Sequence, residues 1–371
     1  MRIGIPRETK NRETRVALTP EGARALADDG HEVLVERGAG AAAFLPDDEY
    51  EAAGASIVST SEAWGADLVL KVKEPVEGEY GLLRANVLFT FLHLAANEPL
   101  AAALVQAGTT AFSYDTVQVE DGSLPLLTPM SVIAGRLATL EGGHHLLSSQ
   151  GGRGVLISGA PGVAGARVVV IGGGVAGSHA LAQAVGMGAD AVVIDLDEAR
   201  LAALARTHGD RVRTVVSTPA AIEREVLAAD LVIGAVLVPG HRAPKVVSRD
   251  TVMRMRPGAV MVDIAIDQGG CFEVSRPTTH DDPVFTVGEV QVYCVANMPG
   301  AVGATATAAL AHATLPYITA LAGGWERAVA ADGALARGLN TDAGTVRYPA
   351  VAQAFPHLPA DPPAVRAVEA E

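Results

Sequence analysis

The sequence predicts an α/β protein of two doubly wound parallel-sheet domains, the second inserted into a discontinuous first. Three observations carry this reading. Short apolar runs of strand length alternate with alanine-rich helical stretches from the N-terminus onward, the pattern of parallel sheets covered by helices. A second series of such units opens abruptly at RVVVIGGG, residues 167–174. The region after Asn297 is too small and too apolar to stand alone, so it is expected to pack back on the first domain. At 371 residues the chain is also long for one hydrophobic core. The expected division is 1–127 and 304–371 for the discontinuous domain and 128–303 for the inserted one.

Element by element, RIGIP (2–6) reads as a short strand. Thr19-Pro20-Glu21 then supplies an N-cap, a first-turn proline and a first-turn acid for a helix ending near Gly30. HEVLVE follows as a strand, and further strands are expected within 67–75, 86–94 and 109–117. From Met130 the pattern SVIAGRLATLEGGHHLLSSQ reads as one long helix, followed by a glycine-rich segment. The second series gives strand, glycine turn, helix, strand and helix from Arg167, then strands at 229–236, 259–265 and 290–297. An alanine-rich helical region and a proline-rich tail complete the chain, and no repeat of solenoid length is evident.

Composition excludes several classes. Apolar residues make up 49% and charged residues 19%, which is inconsistent with disorder. Aromatics are 4% while glycine reaches 40 residues, so the core is built from Ala, Val, Leu and Ile with many tight turns. The net charge of −14, without a basic tract, excludes nucleic acid as a partner. Cys271 and Cys294 lie far apart, which suits a reducing compartment and argues against a structural zinc or other metal site. MRIGIPRETKNRETR is charged from its start and lacks the apolar core of a signal peptide. Residues 293–325 carry no formal charge, but Pro299, Pro316, Asn297 and His312 interrupt them, so a buried strand, loop and helix are expected rather than a membrane span. A soluble cytoplasmic protein, not bound to membranes, is the expectation.

The sharpest local signal is VVVIGGGVAG, with Gly172, Gly174 and Gly177 in GxGxxG spacing. It follows four apolar strand residues, opens an alanine-rich helix, and is succeeded by Asp195, 23 residues after Gly172, at the end of VVID. That context is what a Rossmann-like dinucleotide fingerprint requires. Gly172 permits the tight turn, Gly174 lets the backbone approach a pyrophosphate at the helix N-terminus, and Gly177 lets helix and strand pack closely. Asp195 would accept hydrogen bonds from the adenosine ribose and repel a 2′-phosphate, which favours NAD over NADP. Asp197 is an alternative acid. FAD is a chemical alternative, set back by the position of the motif far from the N-terminus.

In open α/β sheets ligands sit beyond the C-terminal ends of strands. Polar residues there are therefore candidates: Lys71 and Lys73 in KVKEP, on one face if the strand is regular, His93 in FLHL, Asp267 in VDIAIDQGG and Asn297 in VYCVAN. Each has a plainer reading. His93 could be a core histidine, Lys73 half of an ion pair with Glu74, and Asp267 the cap of a turn before Gly269 and Gly270. Arg15 could belong to a solvated charged face with Arg7, Lys10 and Arg12. Collectively they suit a small anionic substrate. Arginine pairs bidentately with carboxylate, lysine anchors a carboxylate or polarises a carbonyl, and histidine carries a proton near neutrality. A 2-oxo or 2-amino acid needs such a set.

Taken together, GIPRETKNRETRVALTP, LVLKVKEP, FTFLHLAA, SYDTVQ, LVIGAVLVPG, VDIAIDQGGCFEVSRPTTHDDPVF and YCVANMPGAV resemble the alanine dehydrogenases. That family extends to the NAD-binding component of proton-pumping nicotinamide nucleotide transhydrogenase. The resemblance runs from Met1 to about residue 345 and keeps motif order through both domains. It implies reversible oxidative deamination of L-alanine to pyruvate and ammonia with reduction of NAD. It further implies that Arg15 holds the substrate carboxylate, that Lys73 binds beside it and polarises the pyruvate carbonyl, and that His93 is a substrate-contacting acid/base. Asp267 would take part in proton transfer during imine and carbinolamine chemistry. Ser131, Asp195 and Asn297 are implied as dinucleotide contacts, with Val236 and Leu237 of LVIGAVLVPG read as cofactor-binding beside them. A homo-oligomer, commonly a hexamer, belongs to the same expectation.

Two segments depart from the family pattern. MSVIAG at 130–135 stands where MSEVAG is common, and ANMPGAVGATAT at 296–307 where ANMPGAVPRTST is common. Neither departure replaces Arg15, Lys73, His93 or Asp267. The competing readings are the transhydrogenase component itself, whose Arg- and Gln-containing segment is not seen at 126–142, and a catalytically silent NAD-binding protein.

Overall fold

The computed structural model describes residues 1–236 and 243–362. They fall into two compact units, residues 1–130 with the chain from Gly300 onward, and Ser131–Pro299. The first boundary lies within the helix Thr128–His145. In chain order the strands are β1 (Arg2–Ile5), β2 (Glu32–Glu36), β3 (Ser56–Val58), β4 (Leu68–Leu70), β5 (Val87–Thr90) and β6 (Thr110–Ser113), all in the first unit. The second unit holds β7 (Arg167–Ile171), β8 (Asp190–Asp195), β9 (Val212–Val216), β10 (Leu231–Gly234), β11 (Val260–Asp263), β12 (Val284–Val287) and β13 (Val290–Tyr293). The chain then returns to the first unit with β14 (Leu339–Asp342) and β15 (Thr345–Val346).

The sheet orders are β15-β14-β6-β5-β4-β1-β2-β3 and β12-β13-β11-β10-β7-β8-β9. Counted from each unit's own first strand, both begin 3-2-1-4-5, the doubly wound order with a switch point between the first and fourth strands. In the first unit that point lies between β1 and β4, and in the second between β7 and β10.

The expectation of purely parallel sheets is corrected at the edges. β14 runs antiparallel to β6 and to β15, and β12 antiparallel to β13. Both hairpins close through two residues, which forces antiparallel pairing because a parallel pair needs a long crossover. In the first, Asp342 pairs with Thr345 around Ala343 and Gly344, whose φ values of 45° and 80° are those a tight hairpin turn demands. In the second, Val287 pairs with Val290 around Gly288, at φ 61°.

Most expected elements form close to the positions read from the sequence. Thr19 caps the helix Pro20–Asp28 by accepting from the Gly22 amide, with Pro20 in its first turn. The helix expected to run from Met130 to Gln150 ends at His145, and Ser148–Gln150 forms a separate 3-10 turn. The uncharged stretch becomes the end of β13, a 3-10 turn at Met298–Val302 and the helix Gly303–Ala322, with Pro316 inside it. Among the described residues no helix is long and apolar enough to cross a membrane.

The core of each unit is aliphatic. In the second, Val169, Ile171, Val192, Ile194, Val232 and Met261 are buried on strands from β7 to β11. In the first, Val69, Leu88, Leu92, Leu100, Leu104 and Ala111 pack together across β4 to β6 and the helix Glu98–Ala107. These rigid layers leave the strand ends as the places where polar groups can gather.

Candidate active site

In the first unit the loops after β1, β4, β5 and β6 leave the C-terminal ends of four neighbouring strands. They carry, in turn, Glu8 to Arg15, Lys71 to Glu74, His93 and Asp115. β4 ends at Leu70, before either lysine, so strand alternation does not govern Lys71 and Lys73. Both are nevertheless buried, at 0% and 7% exposure.

Lys71 is a structural cation. Its Nζ lies 3.0 Å from Glu8 Oε2 and 3.2 Å from Glu79 Oε1, and 5.5 Å from the centre of the Trp64 ring. Glu8 also accepts the Val72 amide at 2.6 Å, tying the loop after β1 to the end of β4. Burial pushes the Glu8 carboxyl above its ordinary range, against the pull of Lys71. Burial alone would weaken the charge on Lys71, but Glu8 and Glu79 outweigh it and hold its pKa above the ordinary value.

Lys73 sits beside Glu74, so the plain ion-pair reading has an electrostatic basis. Burial raises the Glu74 pKa, but Lys73 and Lys10 overcome that and hold the carboxyl below its usual range. The Lys73 carbonyl accepts Thr90 Oγ1 at 3.0 Å, fixing the turn to the end of β5.

Arg15 does not lie on a solvated face: it is buried, at 3% exposure. Glu13 binds its Nε at 2.7 Å and its Nη2 at 2.5 Å, and its Nη1 meets Met130 Sδ at 2.9 Å. One edge of the guanidinium fork is thereby engaged by a neighbouring carboxylate, which fixes its plane.

His93 is not a core histidine. Its side chain is 41% exposed and its ring stacks on Phe91, with centroids 5.9 Å apart and planes 7° apart. Its Nδ1 lies 3.5 Å from Asp115 Oδ2. Burial raises the Asp115 pKa, but His93, Ser113 and backbone amides outweigh it and hold the carboxyl below its usual range.

In the second unit the glycine turn behaves as its spacing predicts. Gly172 takes φ 98°, and a Cβ there would lie 2.6 Å from the Ala235 carbonyl oxygen. Gly174 caps the helix Val175–Gly186 without a side chain, and a Cβ built on it meets no described atom within 4 Å. The first-turn amides of a twelve-residue helix are thus left without a side-chain cap, the arrangement that receives an anion. At Gly177 a Cβ would stand 1.7 Å from the Gly172 carbonyl oxygen. Gly177→Ala is therefore expected to destabilise this unit by about 3 kcal/mol, the upper end of overpacking costs, read as a lowered midpoint in urea unfolding.

Asp195 ends β8 and is nearly buried. Its Oδ2 accepts the Gly173 amide at 2.5 Å, its Oδ1 accepts the Asp197 amide at 2.9 Å, and Arg200 Nη1 lies 3.2 Å from both oxygens. Burial opposes its charge, but these donors win and lower its pKa. Asp197, the alternative acid, instead caps the helix Glu198–His208 by accepting the Arg200 amide at 3.0 Å. Val236 follows β10 at the switch point, its amide 3.1 Å from a Cβ placed on Gly172. Leu237 lies outside the described residues. Ser131 begins this unit within the helix Thr128–His145. Asn297 adopts φ 67°, and its carbonyl accepts from or faces His280 Nε2 at 3.2 Å.

Asp267 is exposed on the 3-10 turn Ile264–Gln268 that follows β11. Capping of that turn falls to Asp263, which accepts the Ala265 amide at 3.0 Å. Asp263 also accepts the Cys271 amide at 2.8 Å and Ser275 Oγ at 2.5 Å, and Lys245 Nζ grips the Gly269 and Gly270 carbonyls at 2.6 and 2.8 Å. The loop bearing Asp267 is anchored at both sides. Among the described residues no cluster of His, Cys, Asp and Glu could hold a metal ion.

Sequence reasoning missed Glu8, Glu13, Glu79, Asp115 and Asp263. None stands in a motif with a chemical signature; Glu13 acts on the Arg15 guanidinium two residues on, and the others act through more distant partners or through backbone amides.

The two units thus define a doubly wound dinucleotide fold joined in one chain to a second doubly wound unit that gathers buried cations at its strand ends. The comparisons agree with that class. Residues 4–134 match the alanine dehydrogenase/PNT N-terminal domain and residues 138–349 the alanine dehydrogenase/PNT C-terminal domain, and the chain belongs to this family. An alanine dehydrogenase of Mycolicibacterium smegmatis is 54% identical over 357 residues, covering 95% of this chain and 96% of its own. A solved L-alanine dehydrogenase superposes with a TM-score of 0.93 at 49% identity, over 96% of this chain and 99% of that one. A solved transhydrogenase from Sinorhizobium meliloti gives a TM-score of 0.80 at 28% identity, over 94% of this chain and 100% of that one.

Proposed function

We propose that this protein catalyses the reversible, NAD-dependent oxidative deamination of L-alanine to pyruvate and ammonia. The observation that carries the reading is the row of Arg15, Lys73 and His93 beyond neighbouring strands of one sheet, in a chain 54% identical to an alanine dehydrogenase. The glycine turn at 172–177, the uncapped helix start and Asp195 fit an NAD molecule. Gly172 and Gly174 would admit its pyrophosphate, Asp195 would meet its adenosine ribose, and Ser131, Val236, Leu237 and Asn297 would complete its contacts. When bound, NAD supplies the hydride acceptor.

The protein's own groups handle the substrate. Arg15, its plane fixed by Glu13, holds the alanine carboxylate. Lys73 binds beside it and, in the reverse direction, polarises the pyruvate carbonyl for attack by ammonia. Loss of hydride from Cα leaves an iminium, which water attacks to give a carbinolamine. His93 and Asp267 move the protons until ammonia leaves. Orientation and fixed charge provide most of the acceleration. A homo-hexamer is the assembly the resemblance implies, and light scattering of the purified protein would measure it.

NADH absorbance with NAD and a panel of L-alanine, D-alanine, glycine, L-serine, 2-aminobutyrate, L-lysine and L-lactate tests the reaction, with pyruvate, ammonia and NADH as the reverse assay. Preferential turnover of L-alanine and ammonia-dependent pyruvate reduction are expected. Pyruvate reduction without ammonia would instead mark a hydroxy-acid dehydrogenase. The likeness to a transhydrogenase makes hydride exchange between nucleotides without alanine the competing outcome. Cofactor choice has its own test. Asp195→Ser removes the charge that repels a 2′-phosphate while Arg200 remains beside it, so the preference for NAD over NADP, measured as a ratio of kcat/KM values, is expected to fall by about tenfold or more.

A further inference from the structure

We propose that Asp115 is the positioning residue for His93, holding the imidazole through Nδ1 and leaving Nε2 as its proton-handling atom. The proposal rests on the reading of His93 as the acid/base and adds the group that fixes its tautomer.

The geometry starts from the backbone. His93 has φ 47°, in the left-handed region that a side chain rarely adopts, and such a conformation persists where the surroundings fix it. Here one carboxylate does so. Asp115 Oδ1 faces the Leu92 amide at 3.2 Å and the His93 amide at 3.5 Å, and receives the Ser113 hydroxyl. The other oxygen, Oδ2, faces His93 Nδ1 at 3.5 Å. Backbone and ring of the same residue are therefore referenced to the same carboxylate, and Phe91 stacked on the ring restricts its rotation. β5 and β6 are adjacent parallel strands, so the loops carrying the two residues leave the same sheet edge side by side.

Division of labour between the two oxygens gives the carboxylate its purpose. Oδ1 serves amides and a hydroxyl, all donors, which an asparagine oxygen would serve equally well. Oδ2 faces a ring nitrogen, and a carboxylate oxygen is an acceptor in every case. A neutral His93 that donates to this oxygen presents Nδ1 as N–H, which leaves Nε2 as the unprotonated position. An amide nitrogen at the Oδ2 position would instead donate, and would select the opposite tautomer. Burial and the Asp115 charge push the Tyr348 phenol up.

Asp115→Asn is the discriminating variant because it keeps shape and the Oδ1 contacts. In ammonia-dependent pyruvate reduction it is expected to lower kcat by about 10- to 100-fold, within the range of general acid–base contributions, with the KM for pyruvate changed by less than about threefold. Asp115→Glu is expected to recover part of that loss. In a His93→Gln background Asp115→Asn is expected to change the residual kcat by less than about twofold, because its effect passes through the imidazole. The ¹⁵N spectrum of histidine-labelled protein, with His93 assigned from the His93→Gln variant, is expected to show Nδ1 protonated in the neutral ring and the tautomer reversed in Asp115→Asn. Multiplying losses in the double variant, or an Nε2-protonated neutral His93 in the unaltered protein, overturns the proposal. The spectrum of the unaltered protein decides the matter even if Asp115→Asn fails to fold. Wild-type kcat in His93→Gln would overturn the acid/base reading of His93, and the spectrum would still report separately whether Asp115 fixes the ring.

Discussion

Lys71→Met is expected to lower the apparent stability of the first unit by about 3–5 kcal/mol, the cost of leaving buried charge without its partner. Lys71 has no solvent exposure and stands between Glu8 and Glu79, both themselves nearly buried. Methionine preserves most of the volume, so the loss is electrostatic rather than a cavity. The sign of the pH dependence follows. Burial already raises the Glu8 pKa in the folded protein, and removing Lys71 raises it further. A carboxyl whose folded pKa lies above its unfolded value binds its proton more tightly when folded, so the variant loses stability as pH rises through that folded pKa. The gap between variant and parent in urea unfolding is therefore expected to be widest near pH 8 and to narrow toward pH 5. Adding Glu8→Gln and Glu79→Gln to Lys71→Met, which leaves a neutral cluster, is expected to recover most of the loss. A gap that stays constant with pH, or that closes upward, would sink the electrostatic account.

Particular residues show how far the sequence could be read. β1, β2, β4, β5 and β6, and β7, β8, β10, β11 and β13, were legible because strands buried in a parallel sheet are written as apolar runs, such as VVVI and LVIG, whereas the short β3 and the partly polar β9 were not. The glycine turn was legible because its constraint is local: Gly172 needs a positive φ and Gly177 cannot carry a Cβ. β14 escaped notice because LNTD, an edge-proximal strand, has neither an apolar run nor alternation, and its pairing with β6 is set by residues more than two hundred positions away. The candidate site residues follow the same division. Lys73 and His93 stand at the ends of apolar strands, where fold physics alone directs attention. Asp115 and Glu13 are ordinary acids in sequence, and their importance lies in what they face. Lys71 and Lys73 form the most instructive pair, since a two-residue spacing treats them alike. The structure instead gives the first a closed set of buried acids and the second a place at the turn beside Glu74 and Lys10.

That difference makes Lys73→Met the second large effect, of the opposite kind. Its removal leaves Glu74 still paired with Lys10. The unfolding midpoint is accordingly expected to stay close to that of the parent. Activity is expected to fall by about 10²- to 10³-fold in kcat/KM for pyruvate, the scale of losing one preorganised charge at a reacting carbonyl. Because that charge matters most as negative charge builds on the carbonyl oxygen, the larger share should appear in kcat, with a smaller rise in KM from the weakened grip on the carboxylate. NAD affinity, measured by quenching of protein fluorescence, should be unchanged, since the glycine turn and Asp195 belong to the other unit. Were Lys73→Met to unfold while Lys71→Met stayed stable and inactive, the two lysines would have exchanged roles, and the substrate would have to be rebuilt around Glu8 and Glu79. Such a site would favour a cationic group over a carboxylate, so the same pair of variants decides which charge of the amino acid the first unit was built to hold.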